Sequence, residues 1–162
     1  MKTLSISKLL IIGLSATFFV GCSGDELPVG MPSLQPVKVT IVQDGTPLEG
    51  ASVQLMPEDA SNTWASGGST DATGVVNIMT LGKFEGAPAG TYKVTVDKIS
   101  SEGPVEVSND PAGVPPATMF RLVDPQFSSL KTTTAEVTVA EGETTEQLID
   151  VGPAIKKELP KL

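Results

Sequence analysis

Cys22 is the only cysteine among the 162 residues of the chain, and the sequence contains no histidine. A single cysteine has no partner for an intramolecular disulfide bond. Without histidine the chain has no Ser-His-Asp or Cys-His nucleophile system and no imidazole ligand for a metal. Carboxylates, lysines and Tyr92 remain for catalysis, and each of these works only in a specific geometry. We therefore expect a non-enzymatic domain that uses no cofactor and no metal.

The segment before Cys22 has the features of a secretory signal peptide. A short region with two lysines is followed by an apolar run over residues 9–20. This run is shorter than the roughly 20 residues that a membrane-spanning helix requires. Its end, Gly21-Cys22, resembles the lipobox of bacterial lipoproteins, although Phe19 stands where that family usually has leucine.

In bacterial lipoproteins the signal peptide is cleaved before this cysteine, and the cysteine thiol is diacylated. The resemblance therefore implies a signal peptide over residues 1–21, cleavage between Gly21 and Cys22, and a membrane anchor on Cys22. Each acyl methylene contributes about 0.8 kcal/mol to membrane binding, so two or three chains anchor stably. In Gram-negative lipoproteins an aspartate directly after the cysteine resembles an inner-membrane retention signal. This chain has Ser23 at that place, which favours the outer membrane. The alternative for Cys22 is an unmodified thiol after an ordinary signal peptide.

The charge of the mature chain excludes one class of partner. Removal of residues 1–21 leaves nine basic and nineteen acidic residues, for a net charge of −10. Nucleic-acid phosphates are contacted by lysine and arginine, so we expect no nucleic-acid binding. An anionic membrane surface would also repel the chain, so the acyl chains must supply the attachment. The expected partners are the membrane, through Cys22, and an envelope protein or a glycan.

Alternating apolar and polar residues, many of them β-branched, predict β-strands throughout the mature chain. The predicted strands are residues 37–42, 51–56, 75–80, 92–97, 132–139 and 144–151, with a short edge strand or an extended loop at 64–69. Turn dipeptides such as Asp44-Gly45 separate these strands. No helical periodicity is present outside the signal peptide, so the pattern predicts a single all-β sandwich.

Segments rich in proline, glycine and serine mark the boundaries of this domain. Residues 22–35 are typical of a flexible tether, 36–152 of the folded domain, and 153–162 of a disordered tail. Five prolines in the loop 100–127 exclude a long regular element, and a loop of this length is either functional or disordered. Its apolar residues either pack on the domain or contact a partner: Met119, Phe120, Leu122 and Phe127.

Four motifs occur in a characteristic order: VTIVQDGTPLEGA, VQLMPED, STDATGVVNI and EGAPAGTYKVTV. This series resembles the transthyretin-like or carboxypeptidase regulatory-like domains of small bacterial lipoproteins, notably those of planctomycetes. The resemblance implies a Greek-key β-sandwich of about seven strands that is non-catalytic and serves as a structural or protein-interaction module. The matching residues are Asp44, Gly45, Pro47, Leu48, Gly50, Ala51, Val53, Pro57, Thr70, Asp71, Gly74, Gly86, Ala87, Pro88, Gly90, Tyr92, Lys93, Val94 and Val96.

Most of these residues have a structural role that the sequence itself supports. Four glycines stand where turns require a positive φ: Gly45, Gly50, Gly74 and Gly90. Tyr92 can bury its ring while its hydroxyl reaches the backbone at the end of the sheet. Val75 stands where the family usually carries an aromatic residue.

Trp64 is the candidate residue for contact with a ligand. It lies in the polar stretch SNTWASGGS, where an exposed indole could stack on a sugar ring. The structural alternative, which we favour, is that Trp64 covers the core, as tryptophan does in many small domains. Carbohydrate binding through Trp64 is therefore the alternative to the structural or protein-interaction function.

Three other groupings have both a chemical and a structural interpretation. Asp71, with a glycine three residues later, is a fragment of a calcium loop, but a simple hairpin turn is favoured. Lys38 and Asp150 lie in the first and last strands, where adhesin-type sandwiches form an isopeptide bond, although alternation places Lys38 outward. Four carboxylates either gather at one end of the sandwich or are solvated loop charges: Asp44, Glu49, Glu58 and Asp59.

Overall fold

A computed structural model describes residues 26–103 and 117–160. Within these residues the chain is all-β and contains no helix. The predicted signal peptide, Cys22 and the central part of the 100–127 loop lie outside the described residues. The strands are β1 (Leu34–Gln35), β2 (Val37–Gln43), β3 (Thr46–Pro47), β4 (Ser52–Pro57), β5 (Ser66–Ser69), β6 (Val75–Asn77), β7 (Met79–Thr80), β8 (Phe84–Glu85), β9 (Ala87–Pro88), β10 (Gly90–Asp97), β11 (Ile99–Glu102), β12 (Thr118–Arg121), β13 (Glu136–Val139), β14 (Thr145–Asp150) and β15 (Lys157–Glu158).

Two main sheets form the sandwich. The larger is antiparallel, with the strand order β13-β10-β4-β5-β7-β8. The smaller is built around β2, which pairs with β3 and β6 antiparallel and with β14 parallel. The predicted strand 75–80 is divided at Ile78, because β6 belongs to the smaller sheet and β7 to the larger. Two short sheets, β1-β9 and β11-β12-β15, flank the sandwich.

The core lies between the two main sheets and follows the predicted alternation. Three residues of β2 and three of β10 were predicted to point inward, and all six are buried: Val37, Val39, Ile41, Tyr92, Val94 and Val96. Burial of each such side chain stabilises the fold by about 1.5–3 kcal/mol relative to leaving it exposed. The all-β sandwich prediction is therefore confirmed.

Tyr92 closes one end of the core with its hydroxyl. The ring is fully buried, and the hydroxyl donates a hydrogen bond of 2.6 Å to the carbonyl of Pro88. The side-chain amide of Asn62 donates a hydrogen bond of 2.9 Å to the same hydroxyl. Buried tyrosine hydroxyls need such partners. The predicted role of Tyr92 is confirmed, and the contact fixes the loop after β4 to the start of β10.

The predicted tether and the predicted tail each contain a short paired strand. The tether was expected to reach residue 35, but Leu34–Gln35 pairs with β9, and Gln35 is buried. The side chain of Gln35 accepts a hydrogen bond of 2.9 Å from the backbone of Gly142, which explains its burial. The tail was expected to be disordered, but β15 pairs with β12, and Lys156 contacts the carboxylate of Glu102 at 2.6 Å.

The segment 64–69 forms a strand, β5, but not an edge strand as one alternative had it. It lies between β4 and β7, and its small residues permit the close approach of β4 in the same sheet and of β6 in the smaller sheet. A Cβ atom on Gly67 would lie 2.5 Å from the carbonyl oxygen of Val53, and one on Gly68 would lie 2.6 Å from the side chain of Val76. The two glycines are therefore required by packing.

The described parts of the 100–127 loop pack on the domain. Phe127 is buried, and its carbonyl accepts a hydrogen bond of 2.9 Å from the backbone of Val96. Arg121 forms a two-fold hydrogen bond with Asp97, at 3.0 and 3.2 Å, which attaches β12 to the end of β10. Met119 remains 42 % exposed. Phe127 therefore packs on the domain, which is one of the two interpretations given for the apolar residues of this loop.

Candidate functional site

The smaller sheet has an open edge at β14, as the larger sheet has at β13. β14 pairs with β2 on one side, and no strand in the described part of the chain pairs with its other side. The backbone N–H groups of Thr145 and Val151 donate to the carbonyls of Pro36 and Val42, both at 2.9 Å. Because alternate residues of a strand face opposite neighbours, the backbone of Leu148 points away from the sheet.

The side chains of β14 follow the same alternation. Ile149 is buried at 6 % exposure, whereas Leu148 is 62 % exposed. Leu148 and the three residues nearest to it line a groove of about 330 Å³, whose other wall is formed by Phe127 and residues 134–136. An unpaired strand edge with an exposed leucine beside a groove can accept an extended chain.

The sequence analysis did not identify this edge, although it predicted the strand. A usable signal was present in the adjacent pair Leu148-Ile149. Side chains of a strand alternate between its two faces, so two successive large apolar residues cannot both enter one core. One of the two must point to solvent or to a partner.

Trp64 lies in the loop between β4 and β5. The residue is half-buried and does not belong to the hydrophobic core cluster. Its backbone N–H donates a hydrogen bond of 3.1 Å to the side chain of Asn62, which also contacts Tyr92. The next residue, Ala65, lines a shallow groove of about 460 Å³ together with Met56 and Leu81. Trp64 is therefore next in sequence to a residue of this groove and lies two residues before β5 of the larger sheet.

Asp71 organises a turn, as the structural interpretation had it. Its carboxylate accepts hydrogen bonds from the side chain of Thr73 at 2.7 Å and from the backbone of Thr73 and Val75 at 2.8 and 3.0 Å. These hydrogen bonds, the one from the Thr73 hydroxyl most of all, lower the pKa of Asp71 below its usual value. No group of three or more potential metal ligands occurs among the described residues.

The other two groupings are separated in space. Lys38 lies beside Glu146, at 3.5 Å, whereas Asp150 is paired with Val42 at the other end of the two strands. An isopeptide bond between Lys38 and Asp150 is therefore not compatible with this register. The loop carboxylates do not gather either, because β4 lies between Glu49 and Glu58 and spans about 20 Å.

The predicted lipidation site, Cys22, and the predicted cleavage position at Gly21 lie outside the described residues. The described residues include no helix with the length and apolar character needed to cross a membrane. Comparisons with protein families, with curated proteins and with solved structures return no match for this chain. The lipoprotein and transthyretin-like resemblances therefore stay predictions, and the β14 edge is argued from its geometry alone.

Proposed function

We propose that the chain is a non-enzymatic β-sandwich, lipid-anchored in the bacterial cell envelope, that serves as a structural or protein-interaction module. The observation that carries this proposal is the unpaired edge of β14, where Leu148 is 62 % exposed beside the groove. Proteins usually protect such edges by covering them or by placing lysine or proline on them. β14 is a six-residue edge strand with no lysine or proline, and its acidic residues, Glu146 and Asp150, leave it suited to pairing with a chain of opposite charge.

The anchor part of the proposal rests on the sequence before the domain. The apolar run ending in Gly21-Cys22 fits cleavage and acylation at Cys22, and Ser23 fits placement in the outer membrane. The segment from Ser23 to Ser33 is polar and rich in glycine and proline. Such a segment gives the domain freedom of movement near the membrane. A module held in this way meets its partners at the membrane surface.

The binding function is tested by photocrosslinking in intact cells. A photoreactive amino acid is placed at Leu148 and, in a matched control, at Leu81, which is 50 % exposed on the larger sheet. We expect a discrete protein adduct from position 148 and none of the same mass from position 81. Equal labelling from both positions, or no adduct at 148, would contradict a docking function of the β14 edge.

Carbohydrate binding is the second candidate function. Trp64 is half-buried, its sequence neighbour Ala65 lines the groove with Met56 and Leu81, and a partly exposed indole can stack on a sugar ring. A glycan array probed with the wild type and with Trp64→Ala tests this candidate. Retention of a glycan by the wild type and its loss in the variant would support it. No retention at all would exclude it.

A further inference from the structure

We propose that β14 binds an extended segment of another protein in which an apolar residue has a lysine or arginine two positions away on each side. The proposal rests on the proposed protein-interaction function and adds the chemistry of the partner. It follows from three properties of the edge: the direction of its free backbone groups, the order of its side chains and the sign of its charge.

The backbone of β14 has one regularly spaced set of groups that bond to no neighbouring strand. The odd-numbered residues of the strand form hydrogen bonds with β2. The backbone N–H groups of Thr145 and of Val151, the residue just after the strand, show this pattern. The N–H and carbonyl groups of Glu146, Leu148 and Asp150 therefore point away from the sheet. The side-chain amide of Gln147 donates a hydrogen bond of 3.1 Å to the carbonyl of Leu148, at the exposed surface, and a bound strand would replace this donor. An incoming strand that pairs residue for residue with Leu148 can exchange two backbone hydrogen bonds with it.

The side chains of these same three residues lie on the outer face of the smaller sheet, because Ile149 between them is buried in the core. A strand bound to this edge places its own alternate side chains on that face. An apolar residue opposite Leu148 extends the apolar contact, and the residues two positions away lie opposite Glu146 and Asp150. The intervening side chains point toward the groove that Ala135 lines.

The negative charge of this edge favours lysine or arginine at the two outer positions of the bound segment. The outer face of β14 carries two carboxylates, Glu146 and Asp150, and the adjoining groove is lined by Glu136 with no cationic residue among the described residues that line it. The carboxylate of Asp150 accepts one hydrogen bond of 2.9 Å from the backbone of Gly152, which leaves its second oxygen for a cation. Lys38 contacts Glu146 at 3.5 Å, but both side chains are largely exposed, so this pair is weak. Lys93 is the cross-strand neighbour of Glu136, with no ion pair between their side chains. Opposite charges on neighbouring strands stabilise their pairing.

A second copy of this chain fits the edge poorly. Two β14 strands that paired antiparallel around Leu148 would place Glu146 of one copy opposite Asp150 of the other. Like charges directly opposite each other destabilise strand pairing, and the net charge of −10 expected for the mature chain opposes close approach of two copies. The edge therefore favours a basic segment of a different protein.

The test measures binding of a fluorescent peptide with the core Lys-Val-Ile-Val-Lys to the full chain in detergent micelles. The control peptide carries glutamate in place of both lysines. We expect the basic peptide to bind at least about tenfold more tightly than the acidic one at low salt, with the difference falling as salt increases. Asp150→Asn with Glu146→Gln should weaken the basic peptide about fivefold. The remote pair Glu49→Gln with Glu58→Gln, which removes the same charge, should leave its affinity unchanged.

Leu148→Pro tests the backbone part of the proposal. Proline is tolerated on an edge strand where the N–H faces away from the sheet, so the fold should be retained, as unfolding by urea would show. Leu148→Ala shortens the side chain but keeps the N–H. We expect Leu148→Pro to weaken peptide binding about tenfold more than Leu148→Ala does.

Equal binding of the two peptides, or equal affinity of these two variants, would overturn the proposal. If crosslinks from position 148 persist in cells while neither peptide binds, the partner chemistry is wrong and the docking function stands. If those crosslinks are absent, both fail.

Discussion

Tyr92→Phe removes a single hydroxyl from the end of the core and leaves the ring in place. The hydroxyl donates to the Pro88 carbonyl at 2.6 Å and accepts from the Asn62 amide at 2.9 Å. A typical hydrogen bond contributes about 1 kcal/mol net, and a buried group left without a partner costs about 1–3 kcal/mol. Pro88 is buried, whereas Asn62 is half-buried, so its amide can turn to water.

We therefore expect Tyr92→Phe to lower the free energy of unfolding by about 2 kcal/mol, most of it from the unpaired Pro88 carbonyl. Urea unfolding, followed by circular dichroism, measures this loss as a lower midpoint with an unchanged slope. Asn62→Ala leaves the bond to Pro88 intact and should cost about 1 kcal/mol. A Tyr92→Phe protein as stable as the wild type would refute the assignment of these two hydrogen bonds.

The same residue gives a prediction for alkaline pH. Burial raises the pKa of Tyr92 above its usual value of 10.0, against a smaller opposing effect of the hydrogen bond from Asn62. The folded state therefore holds this proton more tightly than the unfolded state. This stabilisation is complete below pH 10 and is lost as the pH rises through the folded-state pKa. Tyr92 is the only tyrosine, so tyrosinate absorbance reports it alone. Ionisation at or below pH 10 in the folded protein would contradict this reasoning.

Gly86→Ala should destabilise the fold by about 3 kcal/mol or more, because its Cβ would lie 2.3 Å from the Gln35 carbonyl oxygen at a φ of +97°. Gly82→Ala, at φ +67° with open space around the Cβ, should cost only about 1 kcal/mol; urea unfolding compares the two, and equal losses would contradict the role given to close packing. Arg121→Met should remove the contact with Asp97 and speed proteolysis of the β11–β12 hairpin, whereas unchanged cleavage would show that the contact does not hold it.

The parts of the fold that follow from local alternation could be predicted from the sequence. Val94 and Val96 alternate with polar residues on β10, and a period of two places them on one face. Gly45 and Gly74 stand in turn motifs, and both have the positive φ that such turns require. Each of these features depends on residues close together in the chain.

The parts that depend on distant pairing could not be predicted in the same way. The parallel pairing of β14 with β2 joins the two ends of the domain, and no local motif marks it. The buried position of Gln35 depends on Gly142, which lies more than a hundred residues later. The contact between Asp97 and Arg121 joins the core to a segment whose prolines had suggested a loop. Contacts between residues so far apart in the sequence leave no periodic pattern in it.

One feature of the candidate site could be predicted from local sequence, and another could not. The exposed position of Leu148 could have been inferred from its apolar neighbour Ile149, because only one of the two can enter the core. The backbone of Leu148 bonds to no neighbouring strand because β14 lies at the edge of its sheet. The position of a strand in its sheet is a property of the whole fold. Trp64 stays a predicted ligand contact, and its half-buried position depends on the loop between β4 and β5, which no periodic pattern describes.

The anchor on Cys22 is the central claim of the proposed function, and the mass of the amino-terminal peptide tests it most directly. Membranes of cells that produce the protein are extracted with detergent, the protein is digested, and its first peptide is analysed by mass spectrometry. The account predicts a peptide that begins at Cys22 and carries two or three acyl chains, with release of the protein from the membrane in Cys22→Ser. A peptide that begins elsewhere, or a Cys22 with a free thiol, would contradict the claim.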